Sequence, residues 1–321
     1  MLYNQLLPTT LSPVPMLRFR PQSVAAAALV LLSLIWGYNW VVMKEVMRYV
    51  DPFDFTAMRT LLGAFALFTV LAIKRRPMRP VALRGTLLLG MLQTAAFTAL
   101  IQWALVGGGA GKTAVLVYAM PFWLLPMAWL VLGERVRGAQ WAAVAVALAG
   151  LLLIIEPWAL RGDLFSALLA LAGGFVWAMS AVVAKRLRAQ VEVDLLALTA
   201  WQMLLGALAL CVLAGVLPSQ PLQPSAYFFA ALAYNALLAT GLAWLLWLFI
   251  LDRMPAGLAG LSSLAVPAVG VLSGWAELGE RPSAAESVGM LLIALALGAI
   301  SVLAMRGRRL AGQGVSADST S

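Results

Sequence analysis

"GGGAGKT", Gly107 to Thr113, reads at first as a phosphate-binding loop, and that reading would place the chain among soluble nucleotide-binding α/β domains. A P-loop takes Gly, four residues and then Gly-Lys-Ser/Thr, because that length of backbone wraps the phosphates with its N–H groups. Counting back from Gly111, the first glycine would stand at position 106, which is Val106. The flanks decide the matter. "GTLLLGMLQTAAFTALIQWALV" (Gly85 to Val106) leads in and "AVLVYAMPFWLLPMAWLVL" (Ala114 to Leu132) leads out. Each run, at about 20 apolar residues, is long enough to cross a bilayer. The stretch is a glycine-rich turn between two membrane spans, and no nucleotide is expected at Gly107–Thr113.

The whole chain follows the same pattern. It is 63% hydrophobic and 11% charged, whereas soluble domains carry about a quarter charged residues. There is no histidine, and the single cysteine, Cys211, lies inside an apolar run. An internal disulfide and a His/Cys metal site are excluded, and no metal or cofactor is expected. The net charge of +9 could suggest nucleic acid, but a basic excess in a membrane protein gathers in cytoplasmic loops and sets orientation. The expected partners are therefore the lipid bilayer and a small-molecule substrate, with no nucleic acid, and a monomer suffices.

Ten spans can be marked, at 24–43, 55–73, 84–106, 111–132, 139–156, 163–185, 194–216, 225–250, 256–277 and 284–305. Residues 1–23 and 306–321 are polar tails, and Met16 is a second candidate start. With the N-terminus inside, the cytoplasmic side receives Arg18, Arg20, the run Lys74, Arg75, Arg76, Arg79 and Arg84, then Arg135, Arg137, Lys185, Arg186, Arg188, Arg253, Arg306, Arg308 and Arg309. Outside lie only Lys44, Arg48, Lys112, Arg161 and Arg281. The positive-inside rule sets both termini in the cytoplasm of a multi-pass cell-membrane protein. Asp51 before Pro52, Asp163, and "SAAE" from Ser283 to Glu286 are helix-start signals at the expected boundaries.

The more informative feature is a repeat. "WGYNWVVMK" (Trp36–Lys44) aligns with "WAMSAVVAK" (Trp177–Lys185), "RTLLGA" (Arg59–Ala64) with "QMLLGA" (Gln202–Ala207), and Pro121 followed by "LGER" (Leu132–Arg135) with Pro267 followed by "LGER" (Leu278–Arg281). Each half, 24–156 and 163–305, holds five spans. Five is odd, so the second half enters the membrane from the opposite side. The expected fold is an all-α integral membrane protein of ten helices in two inverted five-helix repeats. Inverted repeats are the architecture of secondary transporters, with substrate near the midplane between the halves.

These residues resemble the EamA-type branch of the drug/metabolite transporter superfamily: "WG" followed by Asn in span one, an Arg in span two, "WQMLLGA" in span seven and the doubled proline-to-"LGER" run. The resemblance covers residues 24–305. It implies a ten-helix plasma-membrane carrier exporting amino acids or related metabolites, with a central cavity lined by spans 1, 3, 4, 6, 8 and 9. The span-one glutamate of small multidrug carriers in that superfamily has no counterpart between Val24 and Met43.

Polar side chains that hydrocarbon would penalise mark the candidate substrate cavity. In span one Trp36, Asn39, Trp40 and Met43 share a helical face, mirrored in span six by Trp177 and Ser180. In span three Thr94, Thr98 and Gln102 form a face, with Gln93 and Phe97 beside it. Thr94 pairs by repeat with Thr240. Asn235, Trp244, Tyr118, Ser262 and Ser263 complete the set. Arg59 and its counterpart Gln202 are read as gating or structural groups: Arg59 is a candidate to bind a substrate carboxylate or pin a gate, and its expected structural role is to snorkel outward or to bond backbone carbonyls of a neighbouring helix. Glu134 and Glu280 close spans four and nine, at the unfavourable end of the helix dipole, and Arg135 and Arg281 or nearby helix N–H groups are the expected compensation. Pro121 and Pro267 are expected to break their spans beside the substrate, or simply to kink them. An enzyme is not expected, because histidine is absent and Asp51, Asp54, Asp163, Asp194 and Asp252 lie at span ends or in loops. Two alternatives to metabolite export stay open: efflux of cationic drugs, and a non-transporting receptor or structural role.

Overall fold

The computed structural model describes residues 21–107, 116–134, 140–155, 164–217, 219–278 and 287–296, with Thr113, Gly138, 283–285, 298 and 299 besides. All regular structure among the described residues is helical. In chain order the helices are α1 (Pro21–Val46), α2 (Pro52–Ile73), α3 (Leu83–Leu89), a π-helical segment π1 (Gly90–Ala96) and α4 (Phe97–Gly107). Next come α5 (Met120–Leu132), α6 (Gln140–Ile155), α7 (Leu164–Gln190), α8 (Leu195–Val216), α9 (Ala226–Ala233) and a second π-helical segment π2 (Tyr234–Leu242). The described order closes with α10 (Ala243–Arg253), α11 (Ala256–Ser262), α12 (Ala265–Leu278) and α13 (Ser287–Ala296).

Seven described helical stretches are long and apolar enough to cross a membrane: Val24–Val46, Pro52–Ile73, Leu83–Val106, Leu164–Gln190, Leu195–Val216, Ala226–Arg253 and Ala256–Glu277. Three shorter apolar helices, Met120–Leu132, Gln140–Leu153 and Ser287–Ala296, fall at the expected spans four, five and ten. Burial runs opposite to that of a soluble protein. Gln93, Gln102, Ser180, Gln202 and Asn235 are buried, while Val30, Leu34, Phe65, Leu130, Val212 and Leu291 face outward. In lipid the apolar exterior costs nothing, and polar groups must find partners inside. The protein is a multi-pass membrane protein.

The helix starts follow local chemistry. Asp51 accepts from Phe53 N at 2.9 Å with Pro52 in the first turn of α2, and Asp194 accepts from Ala197 N at 3.0 Å to open α8. Both satisfy N–H groups that the helix cannot. Asp163 and Glu286 lie outside the described residues.

The main packings join helices before residue 156 to helices after 164: α1 with α12, α2 with α8 and π2, π1 with α8, and α4 and α5 with α7. Two glycines show how closely the halves approach. A methyl at Gly63 would stand 2.8 Å from the Ala236 carbonyl, and one at Gly206 2.6 Å from the Gly90 carbonyl. Gly63 and Gly206 are the paired glycines of "RTLLGA" and "QMLLGA", and each leans on the π-helical segment of the other half of the chain.

Helix breaks precede both repeat prolines. Tyr118 and Ala119 form a turn before α5, and Ser263 and Leu264 a turn between α11 and α12. Pro121 therefore sits in the first turn of α5 rather than in a helix interior, and Pro267 is the third residue of α12. The sequence reading expected a break or a kink at each, and each follows a break; a proline at a helix start gives up an N–H that has no helical acceptor anyway. Pro126 is the proline inside α5.

Candidate functional site

A cavity of about 720 Å³, its open mouth included, lies at the centre of the bundle. Helix α1 contributes Trp36, Asn39, Trp40 and Met43, and α2 contributes Arg59 and Thr60. Phe97, Thr98, Ile101, Gln102 and Leu105 come from α4, and Val117 and Tyr118 from the turn before α5. Trp177 of α7, Ala239 and Thr240 of π2 and Trp244 of α10 close the far wall.

The floor is an aromatic cluster. Trp36 packs edge-on against Trp244 at 5.1 Å and Trp177 at 5.5 Å between ring centroids. Phe97 lies 5.3 Å from Trp177 and 5.6 Å from Trp244, and Tyr118 lies 5.7 Å from Trp177. Most of these are edge-to-face contacts, each worth about 0.5–1.5 kcal/mol beyond area burial. Such a floor is rigid and apolar, and its π faces attract cations or flat apolar bodies. Trp36 Nε1 donates to the Ala239 carbonyl at 3.0 Å, which fixes its indole against π2.

Polar atoms are few. Gln102 Nε2 donates to the Pro52 carbonyl at 2.9 Å, tying α4 to the start of α2. Asn39 Oδ1, Trp177 Nε1 and Arg59 Nε have no hydrogen-bond partner. Arg59 corrects the sequence reading. Its guanidinium neither snorkels to the surface nor bonds a backbone carbonyl: Nη1 donates to Thr240 Oγ1 at 3.2 Å across the bundle, and the residue lines the cavity. The paired residues of the other half also bond to each other but with the polarity reversed, Thr94 Oγ1 donating to Gln202 Oε1 at 2.7 Å.

Six expected cavity residues do not line it. Asn235 is buried and donates to the Ala231 carbonyl of its own span at 3.1 Å, and Ser262 is buried away from the cavity wall. Thr94 is spent on Gln202 in the contact between π1 and α8. Gln93 is fully buried with neither amide atom partnered. Ser180 donates to the Trp177 carbonyl and Ser263 to the Gly260 carbonyl, both at 2.7 Å, so each hydroxyl bonds back into its own helix. Trp36, Asn39, Trp40, Phe97, Gln102, Tyr118, Trp177, Thr240 and Trp244 are brought together. Thr60, Ile101, Leu105, Val117 and Ala239 had no sequence signal, since small and aliphatic residues look the same on a cavity wall as in a core.

A second polar cluster lies at the other end of α5. Gly133, at φ 68°, ends the helix in the left-handed region that favours glycine. The chain thereby presents Glu134 to two other helices. Lys185 Nζ donates to Glu134 Oε1 and, at 2.9 Å, to the Met254 carbonyl. Ala256 N donates to Glu134 Oε2 at 2.6 Å. One carboxylate thus clasps the end of α5 to α7 and to the start of α11, whose N-terminal dipole favours an anion. The sequence reading looked to Arg135 or to the N–H groups of the next helix. Among the described residues the partners are Lys185 and a helix start more than a hundred residues away. Nearby, Arg188 and Asp252 pair at 2.9 Å. Lys185 could have been suspected, as the residue that closes "WAMSAVVAK". Arg135, Glu280 and Arg281 lie outside the described residues.

Comparison with known proteins adds the family. The chain resembles the uncharacterized transporter YoaV of Bacillus subtilis (strain 168), 28% identical over 82% of this chain and 91% of that one. It is also 28% identical to a protein of Escherichia coli (strain K12) named "Probable amino-acid metabolite efflux pump", over 87% of this chain and 95% of that one. The inner membrane transporter YedA of the same strain is 27% identical over 88% of this chain and 92% of its own. One solved crystal structure superposes with a TM-score of 0.74 at 20% identity, covering 88% of this chain and 98% of that one, which speaks to the fold alone. The model of the EamA-like transporter family matches twice, over residues 23–156 and 164–302, and by that match the chain belongs to the EamA-like transporter family.

Proposed function

We propose that this transporter exports small amphipathic metabolites, neutral or aromatic amino acids foremost, by alternating access between two inverted repeats of five spans, 24–156 and 163–305. The observation that carries the reading is the central cavity, whose floor is a tryptophan cluster and whose wall holds one guanidinium, one amide with an unpartnered oxygen and several hydroxyls. A small solute with an apolar body and a polar head satisfies both surfaces. The family and the name of the E. coli relative support amino-acid metabolites as the first class to test.

Several pairings support the inverted repeat. Arg59–Thr240 matches Thr94–Gln202, Gly63 against Ala236 matches Gly206 against Gly90, and the turn at Tyr118 matches the turn at Leu264. With the N-terminus inside, the cavity runs from Trp177 and Trp244 at mid-membrane toward Met43 and Leu105 near the external ends of their spans. The Glu134–Lys185 clasp then lies at the cytoplasmic end. This is an outward-facing state, and loading from the cytoplasm requires the clasp to open.

The test is exchange of labelled amino acids in proteoliposomes of purified protein, with and without a pH gradient. Saturable counterflow of one class supports the reading and names the class. Silence across neutral, aromatic and branched members, from protein with an intact unfolding transition, overturns it. Efflux of cationic drugs is the weaker reading: the aromatic floor would suit a cation, but the cavity already contains Arg59 and no carboxylate lines it among the described residues.

A further inference from the structure

Arg59 is the ionisable side chain that the cavity's central position makes hardest to explain by structure alone. Its helix starts at Pro52, so at 1.5 Å per residue the guanidinium's Cα lies about 10 Å along the span. A charge at that depth is costly and is retained where it pairs or serves a ligand. Arg59 has no acidic partner among the described residues, and its one hydrogen bond is to a neutral hydroxyl. Arginine brings five N–H donors in a planar fork that stays charged, and here Nε has no acceptor.

The other half of the chain supplies an internal control. Gln202, paired with Arg59 in the sequence repeat, bridges to Thr94 with its amide oxygen as acceptor, the reverse polarity of the Arg59–Thr240 bond, and it is fully buried between helices rather than set on the cavity. An uncharged side chain therefore suffices to bridge the paired helices, with the threonine hydroxyl donating instead of accepting. The charge at position 59 is surplus to such a bridge. What differs between the two positions is that Arg59 faces the cavity.

We propose that Arg59 binds the carboxylate of the transported solute, so that the site selects amphiphiles carrying a carboxylate on an aromatic or branched apolar body. The proposal rests on the exporter reading above and adds to it the head group and the residue that reads it. The carboxylate engages the free edge of the guanidinium beside Thr240. The apolar body lies on Trp36, Trp177 and Trp244. An α-ammonium, where present, is met by Asn39 Oδ1, the acceptor left without a partner on the same wall. Decarboxylated amines meet the guanidinium as a like charge and are excluded. Amides lose the charge-assisted bond and bind more weakly.

The experiment compares phenylalanine, phenylalaninamide and phenethylamine on the purified protein, by quenching of intrinsic tryptophan fluorescence and by counterflow in proteoliposomes. On the wild type, the acid is expected to bind about 10- to 100-fold tighter than the amide, the range of a hydrogen bond to a charged group, and the amine weakest of all. Arg59→Gln, which installs the side chain that the protein itself uses at the paired position, is expected to bring acid and amide within about threefold, an arbitrary margin well below that range. Arg59→Lys is expected to retain part of the preference, as a point charge without the fork. An amide or amine that binds the wild type as tightly as the acid overturns the proposal while leaving the exporter reading in place. So does an acid preference that survives in Arg59→Gln. Absence of binding and exchange for all three compounds, and for the wider panel, overturns the exporter reading itself. The wild-type comparison decides even where a variant fails to fold.

Discussion

Removing the carboxylate at Glu134 tests whether the cytoplasmic clasp is a unit. Glu134→Gln keeps the shape and one acceptor oxygen but takes away the charge that Lys185 Nζ and Ala256 N both address. Hydrogen bonds to charged groups contribute about 1.5–3 kcal/mol. The side chains of Lys185 and Glu134 are 19% and 23% exposed, so solvent screening moves the pair toward the lower end, about 1–2 kcal/mol. The design is a double-mutant cycle of Glu134→Gln, Lys185→Met and the combination, read as unfolding free energy in one detergent. Each single change is expected to cost about 1–2 kcal/mol and the double change no more than the worse single, because the second substitution finds its partner already gone. For a chain of this size that is a fall of about 2–8 °C in the midpoint for each variant. Two singles that add to the double within about 0.5 kcal/mol would refute the clasp, since independent sites behave that way. Under the alternating access proposed above, the same variants would loosen the closed end, so the ratio of states would shift by up to about tenfold for each 1.4 kcal/mol.

Gly206→Ala puts a methyl 2.6 Å from the Gly90 carbonyl, and about 1–3 kcal/mol of overpacking is expected; Gly215→Ala on the same helix meets nothing within 4 Å and is expected to be neutral or stabilising by up to about 1 kcal/mol. Equal midpoints for the two variants would show that π1 and α8 do not approach as described. Gln93→Leu removes a buried amide with two unpartnered atoms, so stability is expected to hold or rise by about 1 kcal/mol with exchange unchanged; lost exchange would return Gln93 to the cavity. Trp177→Ala opens the aromatic floor and removes contacts to four cavity rings or their neighbours, Trp36, Phe97, Tyr118 and Trp244. Exchange is expected to fall at least tenfold with a stability loss of about 3–5 kcal/mol, and full exchange would remove the floor from the site.

Hydropathy and the repeat were enough to expect an all-helical membrane bundle and most of its boundaries, because span length and interior polarity are both written in composition. Asp51 illustrates the local part, where a carboxylate ahead of an apolar run finds the N–H group it caps. The errors about the cavity have one main physical source. Thr94, Thr98 and Gln102 share a face only if the helix keeps its ordinary repeat. Residues Gly90–Ala96 are π-helical, with bonds to the fifth residue rather than the fourth. The extra residue turns Thr94 toward Gln202 of α8 and leaves Gln93 buried off the cavity, while Thr98 and Gln102 stay on the wall. Nothing in "GMLQTAA" announces that change. The bond of Arg59 was not legible for a related reason: depth can be counted along one helix, but its partner Thr240 belongs to another. The clasp at Glu134 likewise joins three distant chain segments that no spacing links.

The two π-helical segments give the wall a second degree of freedom. Each stores one surplus residue, and one residue of α-helix is about 100° of rotation. Phe97 begins the helix after π1, and Trp244 stands two residues beyond π2. Letting either wide turn relax, or migrate along its span, would spin those side chains about the helix axis while both ends of the span stayed anchored. Relaxing the first would carry Phe97 and Gln102 off the cavity wall, and relaxing the second Trp244. Such a turn would change what a solute meets without tilting the span that makes it.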